Sequence, residues 1–196
     1  MNLRAAEQSD EQLLLALKEG SEQALHKLFM RYYDALVRFA VPILKDQDAA
    51  RDVVQEVFAR IWEKRAALAD ETRIKSYLYM AVKNQSINVL RKEERIQWMN
   101  EESEMEALAP REESTFNTMV DRDLQVRLKH ALSAIPPKCR QVFELSRFEG
   151  LSYQQIADTL EISVKTVENQ MTKALQIMRK ELLPYLKVVL FCLIWQ

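Results

Sequence analysis

Apolar residues recur at three- and four-residue intervals along most of the chain, and no stretch alternates with the period of two that marks a half-buried strand. The first periodic segment opens with Ser9-Asp-Glu-Gln12, a capping box placed ahead of Leu13, Leu14 and Leu17, and Gly20 stops it. Ser21 caps a second predicted helix that carries Leu25, Leu28, Phe29, Tyr32, Leu36 and Phe39, ended by Pro42 and the polar residues 45–48. A third helix is expected over 48–65, with Val53, Val54, Val57, Phe58, Ile61 and Trp62 on one side. A polar loop, 66–73, then leads to a fourth helix over 74–95.

From residue 99 to about 114 the pattern breaks down and acids crowd together at Glu101, Glu102, Glu104, Glu106, Glu112 and Glu113. Too little apolar surface is available there to offset the entropy of ordering the chain, so a tether is expected. Periodicity resumes near Phe116 and runs to Ile135, where Pro136-Pro137 ends one helix and starts the next over 137–148. Gly150 punctuates, Ser152 caps, and two further helices fill the chain to Leu183, the last ended by Pro184. The expected fold is therefore all-α: two small helical domains, 1–97 and 116–183, joined by a flexible acidic linker, 98–115, and followed by an apolar tail, 184–196.

Composition agrees. At 196 residues with 48% apolar and 29% charged side chains, the chain can fill a core and cover it. Only two glycines occur, Gly20 and Gly150, which excludes the clustered glycines of a P-loop or a dinucleotide-binding turn. Cys139 and Cys192 have no metal-ligand spacing and form no disulfide framework, which fits a reducing cytosol. The N-terminus lacks a secretory apolar region, and the longest uncharged apolar run, 188–195, is far short of the ~20 residues a spanning helix needs. A soluble, cytoplasmic protein is expected.

The net charge of −1 conceals a division along the chain. Residues 1–71 sum to −3, 72–98 to +4, 99–126 to −6 and 127–181 to +3. Two basic islands flank an acidic stretch, a distribution that suits a polyanionic partner better than the average suggests.

The sharpest local signal lies over 150–170. Ser152 and Gln155 form a second capping box for a short helix holding Ile156, Ala157 and Leu160, and Ala157 is small where a second helix must cross closely. A brief turn at Glu161-Ile162 leads to Ser163, another cap, and a longer helix. Short helix, tight turn and capped longer helix is the arrangement that lays a recognition helix in the DNA major groove. On a helical wheel Val164, Val167, Met171, Ala174, Leu175 and Met178 share the packing side. Lys165, Thr166, Asn169 and Lys173 share the other, with Thr172 and Gln176 at its edges and Glu168 and Gln170 on the flanks. Asn binds adenine bidentately, Lys reaches guanine or phosphate, and Glu accepts from a cytosine amino group. The alternative is a polar solvated face on an ordinary antiparallel helix pair.

The first unit has two further faces. Asp52, Gln55, Glu56, Ala59 and Glu63 oppose the apolar side of the third helix, either as a docking stripe for a basic partner helix or as a solvated charged face. The fourth helix combines Arg73, Lys75, Tyr77, Tyr79 and Lys83 with Asn84, Asn88, Arg91 and Arg95 along one face. Cations track phosphates while aromatics and amides suit unstacked bases, which fits melted DNA; core tyrosines beside solvated basic residues would look the same.

Residues 48–62, DAARDVVQEVFARIW, resemble the most characteristic stretch of region 2 of the sigma-70 superfamily. Residues 76–84, SYLYMAVKN, and on through Arg91 resemble its promoter-melting helix, and 132–173 resemble region 4. Regions 2 and 4 without a region 3 domain between them resemble an extracytoplasmic-function (group 4) sigma factor. The resemblance implies that Asp52, Gln55 and Glu56 dock on the clamp helices of the RNA polymerase β′ subunit. It implies that the 66–73 loop, with Asn84 and nearby Tyr77, Lys83, Asn88 and Arg91, captures bases of the −10 element. Ser163, Lys165, Thr166, Asn169, Gln170 and Lys173 would read the −35 element, and region 4 would also touch the β flap. An anti-sigma protein, soluble or membrane-anchored, is an implied partner; no cofactor, metal or small-molecule substrate is. The acidic linker would pass near the polymerase cleft and RNA exit path. The turn departs from the family, which usually carries Gly where Glu161 stands, leaving an αR-based or a slightly strained turn. Arg51 stands where the family often has an acid. The tail has three readings: packing on region 4, partner binding or membrane contact, of which the first two are favoured because eight apolar residues anchor membranes poorly.

Three other classes compete. A response-regulator-like protein using only the helix-turn-helix would need a receiver domain, and residues 1–98 lack its alternating strands. A helical hydrolase or metal enzyme would need a site, yet His26 and His130 are isolated and no Glu-x-x-His set occurs. An interaction scaffold of the anti-sigma kind would show no promoter selectivity.

Overall fold

Ser9, Ser21, Ser152 and Ser163, the caps read from the sequence, each stand at the start of a helix. In the structure, a computed structural model, residues 8–69, 72–99 and 128–194 are described, with 94–99 and 184–194 as backbone alone. Helix α1, Asp10–Lys18, is capped by Ser9, and the Gln12 side chain closes the capping box. Helix α2, Glu22–Leu44, is capped by Ser21, and α3, Gln47–Lys64, by Asp46, whose carboxylate accepts from the Ala49 amide at 2.7 Å. A 3-10 turn, Arg65–Ala67, follows α3, and α4 spans Ile74–Met99. In the second half, helical residues 128–133 precede α5, Pro137–Arg147, α6, Tyr153–Leu160, and α7, Val164–Ile194. No strand occurs among the described residues, and the all-α expectation holds.

The chain divides into two units whose boundary falls at residues 110–111, outside the described set. In unit 1, Leu13, Leu14 and Leu17 of α1 are buried with Leu28 and Leu36 of α2, Val53, Val54 and Phe58 of α3, and Ile74, Leu78 and Val82 of α4. Each fully buried Leu or Ile of this kind contributes roughly 1.5–3 kcal/mol of transfer free energy. Asp10 ties α1 to α2: its carboxylate accepts from the Arg31 guanidinium at 2.6 Å and from the Tyr32 hydroxyl. In unit 2, Ala131, Ile135, Val142, Leu145, Leu151 and Ile156 are buried with Val167, Met171 and Ala174 of α7.

Two prolines act differently from expectation. Pro42 lies inside α2, which runs on to Leu44. It removes only the bond to the exposed Arg38, which water can replace, and the Lys45 amide still closes the last turn on the Val41 carbonyl at 2.7 Å, with Lys45 left-handed at φ 58°. Pro184 likewise does not end α7, whose backbone stays helical to Ile194. The bond it forfeits belongs to Lys180, also exposed, and the flanking Leu and Lys residues are strong helix formers. Helix α4 also passes the expected stop at 95 and continues to Met99. The acidic linker lies outside the described residues apart from the end of α4, and so does the periodic stretch 116–127.

Candidate nucleic-acid interface

The helix-turn-helix of unit 2 is built by caps. The Ser152 Oγ accepts from the Gln155 amide at 3.2 Å and the Gln155 Oε1 accepts from the Ser152 amide at 2.8 Å, which fixes the start of α6. Glu161 ends α6 in the left-handed region, φ 56° and ψ 46°, so the turn is not αR-based. The Ile162 amide then donates to the Ala157 carbonyl at 3.0 Å. A side chain with a Cβ in that conformation carries roughly 1 kcal/mol of strain that glycine avoids. Ser163 starts α7: its Oγ accepts from the Thr166 amide at 3.1 Å and lies 2.8 Å from the Thr166 hydroxyl.

Val167, Met171, Ala174 and Met178 form the buried spine of α7. Leu175, expected on that spine, is 40% exposed instead: it lies one residue past Ala174, and the turn of 100° carries it off the seam. Val164 is half-buried. Ser163, Lys165, Asn169 and Lys173 are exposed and Thr166 and Gln170 half-buried; Lys165, Thr166, Asn169 and Lys173 share one side of the helix, with Gln170 on its flank and Ser163 at its cap. They are not equally available. Lys165 pairs with Glu168 at 3.1 Å, and the Ser163 and Thr166 hydroxyls are spent on capping. Asn169, Gln170 and Lys173 make no side-chain hydrogen bond among the described residues, and their donors and acceptors remain open to base edges.

In unit 1, Asp52, Gln55, Glu56, Ala59 and Glu63 are all exposed along α3. Glu56 is engaged within the fold in a way the sequence did not disclose. Its Oε2 accepts from the Gln85 Nε2 at 2.6 Å and its Oε1 from the Arg60 Nη2 at 2.5 Å, while the Arg60 Nη1 donates to the Gln85 Oε1 at 2.8 Å. This triangle stitches α3 to α4. Arg51 pairs with Asp48 on its own helix at 2.9 Å.

Helix α4 buries Ile74, Leu78, Val82 and Ser86 and exposes Asn84, Asn88 and Arg91, with Tyr77 and Lys83 half-buried. The positions 77, 84, 88 and 91 follow one helical stripe. Tyr79 is not on it: it is 1% exposed and packs edge-on against Phe39 with ring centroids 5.1 Å apart. Ahead of α4, Leu68 is buried and anchors the loop, Ala66, Ala67, Ala69 and Arg73 are exposed, and residues 70 and 71 lie outside the described set.

The model of sigma-70 region 2 matches residues 28–96 and that of sigma-70 region 4 matches residues 125–178. The RNA polymerase sigma factor SigV of Bacillus subtilis is 30% identical over 145 residues, covering 74% of this chain and 82% of its own. The RNA polymerase sigma-H factor of Pseudomonas aeruginosa is 24% identical over 188 residues, covering 92% of this chain and 97% of its own. In fold, the chain resembles the sigma factor RpoE of Bartonella quintana, solved with the anti-sigma factor NepR, at a TM-score of 0.59 and 22% identity, over 80% of this chain and 95% of that one. The class that follows is an all-helical transcription factor with separate region 2 and region 4 units. The chain belongs to the sigma-70 family of RNA polymerase sigma factors, within its extracytoplasmic-function group.

Proposed function

We propose that this alternative sigma factor recruits core RNA polymerase through α3 and reads its promoter with two separate surfaces. Asp52, Gln55 and Glu56 dock on the β′ clamp helices, an acidic stripe meeting a basic helical partner. The exposed Asn84 and Asn88 amides, beside Tyr77, Lys83 and Arg91, take unstacked bases and backbone of the −10 element, where amides bond base edges and cations follow phosphates. On unit 2, Asn169, Gln170 and Lys173 enter the −35 major groove, with Ser163, Lys165 and Thr166 at the start of the same helix, and unit 2 also contacts the β flap. The domain assignment is region 2 over 1–97, an acidic linker over 98–115, region 4 over 116–183 and an apolar tail over 184–196. The polymerase performs the synthesis and the factor contributes no catalysis.

The observation that carries this reading over a helix-turn-helix regulator acting alone is unit 1 itself. Its α3 and α4 present an acidic stripe and an amide-rich basic stripe on adjoining helices, which a regulator acting only through unit 2 does not require. The factor acts in the cytoplasm, where polymerase is found. No helix among the described residues is long and apolar enough to cross a membrane. An anti-sigma protein holds it when inactive, the kind of partner with which the Bartonella quintana relative was solved.

The test is in-vitro transcription with purified core polymerase over a genomic promoter library. New start sites that need both protein and core enzyme are expected. A protein that binds duplex DNA selectively without core enzyme, and adds no transcripts with it, would return the reading to a plain regulator.

A further inference from the structure

The recognition face does not stop at the edge of α7. A groove of about 610 Å³ separates its Thr166, Asn169, Gln170 and Lys173 from Pro136 and Lys138 at the start of α5. Lys138 is exposed, as is Lys173, and neither is in an ion pair among the described residues. The groove lining holds two ammonium groups and no carboxylate. Glu168, the acid nearest in sequence to the reading residues, is drawn to Lys165 at 3.1 Å.

The placement of Lys138 is unhelpful to the fold by itself. It lies in the first turn of α5, where no acid occurs and where Pro136 supplies no side-chain cap. A cation at that end works against the helix dipole. A phosphate brought into the groove would be attracted by Lys138 and Lys173 together, one from each wall. Pro136 and Pro137 fix the backbone entering α5, which sets where the Lys138 stem starts.

We propose that Lys138 is a positioning residue for promoter DNA. It binds a backbone phosphate beside the base pairs read by Asn169 and sets the register of α7 in the major groove. This rests on the assignment of α7 as the recognition helix. Phosphate contacts fix orientation while base-edge contacts specify sequence, so Lys138 changes affinity for all sequences alike.

The experiment uses full-length protein assembled with core polymerase and a promoter fragment selected by the unaltered holoenzyme. Affinity is measured against salt for Lys138→Ala, Lys138→Arg, Lys173→Ala and Asn169→Ala, with thermal unfolding of each as the folding control. Lys138→Ala should lower affinity and flatten the plot of log affinity against log salt by about 0.9. Between 50 and 200 mM salt that is roughly a threefold smaller loss than the unaltered protein suffers. Lys138→Arg should keep the slope, and the −35 base preference should be unchanged in both. If Lys173→Ala and Asn169→Ala alter binding while Lys138→Ala leaves the slope intact, the Lys138 assignment fails alone. A changed base preference in Lys138→Ala also overturns it, since the residue would then read sequence. If none of the three alanine variants affects binding, the recognition-helix reading fails and the Lys138 assignment with it.

Discussion

The Gln85 amide on α4 donates to the Glu56 carboxylate on α3 at 2.6 Å, so a residue assigned to polymerase docking also holds the helix assigned to promoter melting. Asp52, one turn earlier on the same stripe, makes no such bond among the described residues. The two acids should therefore separate under mutation. Asp52→Ala is expected to weaken binding to core polymerase and leave thermal stability unchanged. Glu56→Ala should weaken binding too, and also cost about 1 kcal/mol of folding stability, because charged hydrogen bonds are lost at a site that is partly exposed. Titration against core enzyme and thermal melts check both. Equal melting temperatures for the two variants would remove the structural role of Glu56, and unaltered affinity in both would remove the docking stripe.

On the recognition helix, Asn169 and Lys173 are one turn apart and differ in what they can distinguish. An amide matches the donor–acceptor pattern of adenine, whereas an ammonium on a flexible stem is mainly a charge. Asn169→Ala should relax preference at one −35 position by about 1–3 kcal/mol with a nearly unchanged salt slope. Lys173→Ala should lower affinity for all sequences and reduce the slope by about 1. Binding to a panel of single-base promoter variants at several salt concentrations distinguishes them. If both variants bind the panel as the unaltered protein does, a different face reads the DNA.

Glu161 carries strain that can be relieved. Its φ of 56° is a conformation glycine adopts freely, and the turn sits in the middle of the helix-turn-helix. Glu161→Gly should stabilise the protein by roughly 0.5–1 kcal/mol, less whatever the glutamate's own contact contributes, and Glu161→Val should destabilise it by a similar amount or more. Urea unfolding provides the measurement. A glycine variant less stable than the original would mean that the side chain holds the turn by more than the strain it costs.

Much of this was legible because caps are local. Ser9, Ser21, Ser152 and Ser163 each announced a helix start within a few residues, and the 3.6-residue spacing of Val167, Met171, Ala174 and Met178 marked a seam that needs no partner to be seen. What escaped depends on groups far apart in the chain. Tyr79 reads as part of a basic aromatic face until Phe39 is found against it, and Gln85 reads as a surface amide until Glu56 and Arg60 are found around it. Lys138 joins Lys173 only in the lining of a groove between two helices. The prolines misled for a different reason: at Pro42 and Pro184 the carbonyl that loses its partner is on an exposed residue, and a penalty that stops a buried helix is reduced by water.

The Tyr32 hydroxyl donates to the Asp10 carboxylate, beside Arg31, and the phenol is 5% exposed. Burial pushes its pKa above the ordinary phenol value, and the hydrogen bond to Asp10 and the negative charge there push further in the same direction. The unfolded chain releases the proton near pH 10 and the folded chain only at higher pH. Below pH 10 both states hold the proton and the full stability of this contact is present. As pH rises from there towards the folded pKa, only the unfolded state ionises, and stability must fall. Tyr32→Phe removes the titrating group, so it should be less stable than the original at pH 8 by about 1 kcal/mol through the lost hydrogen bond, with the gap narrowing above pH 10. Urea unfolding of both proteins between pH 8 and 11 reads the difference, and background titration of lysines largely cancels. A gap that stays constant across that range would mean that Tyr32 ionises as readily folded as unfolded, and one that widens that it ionises more readily folded; either would show that Asp10 does not hold its proton.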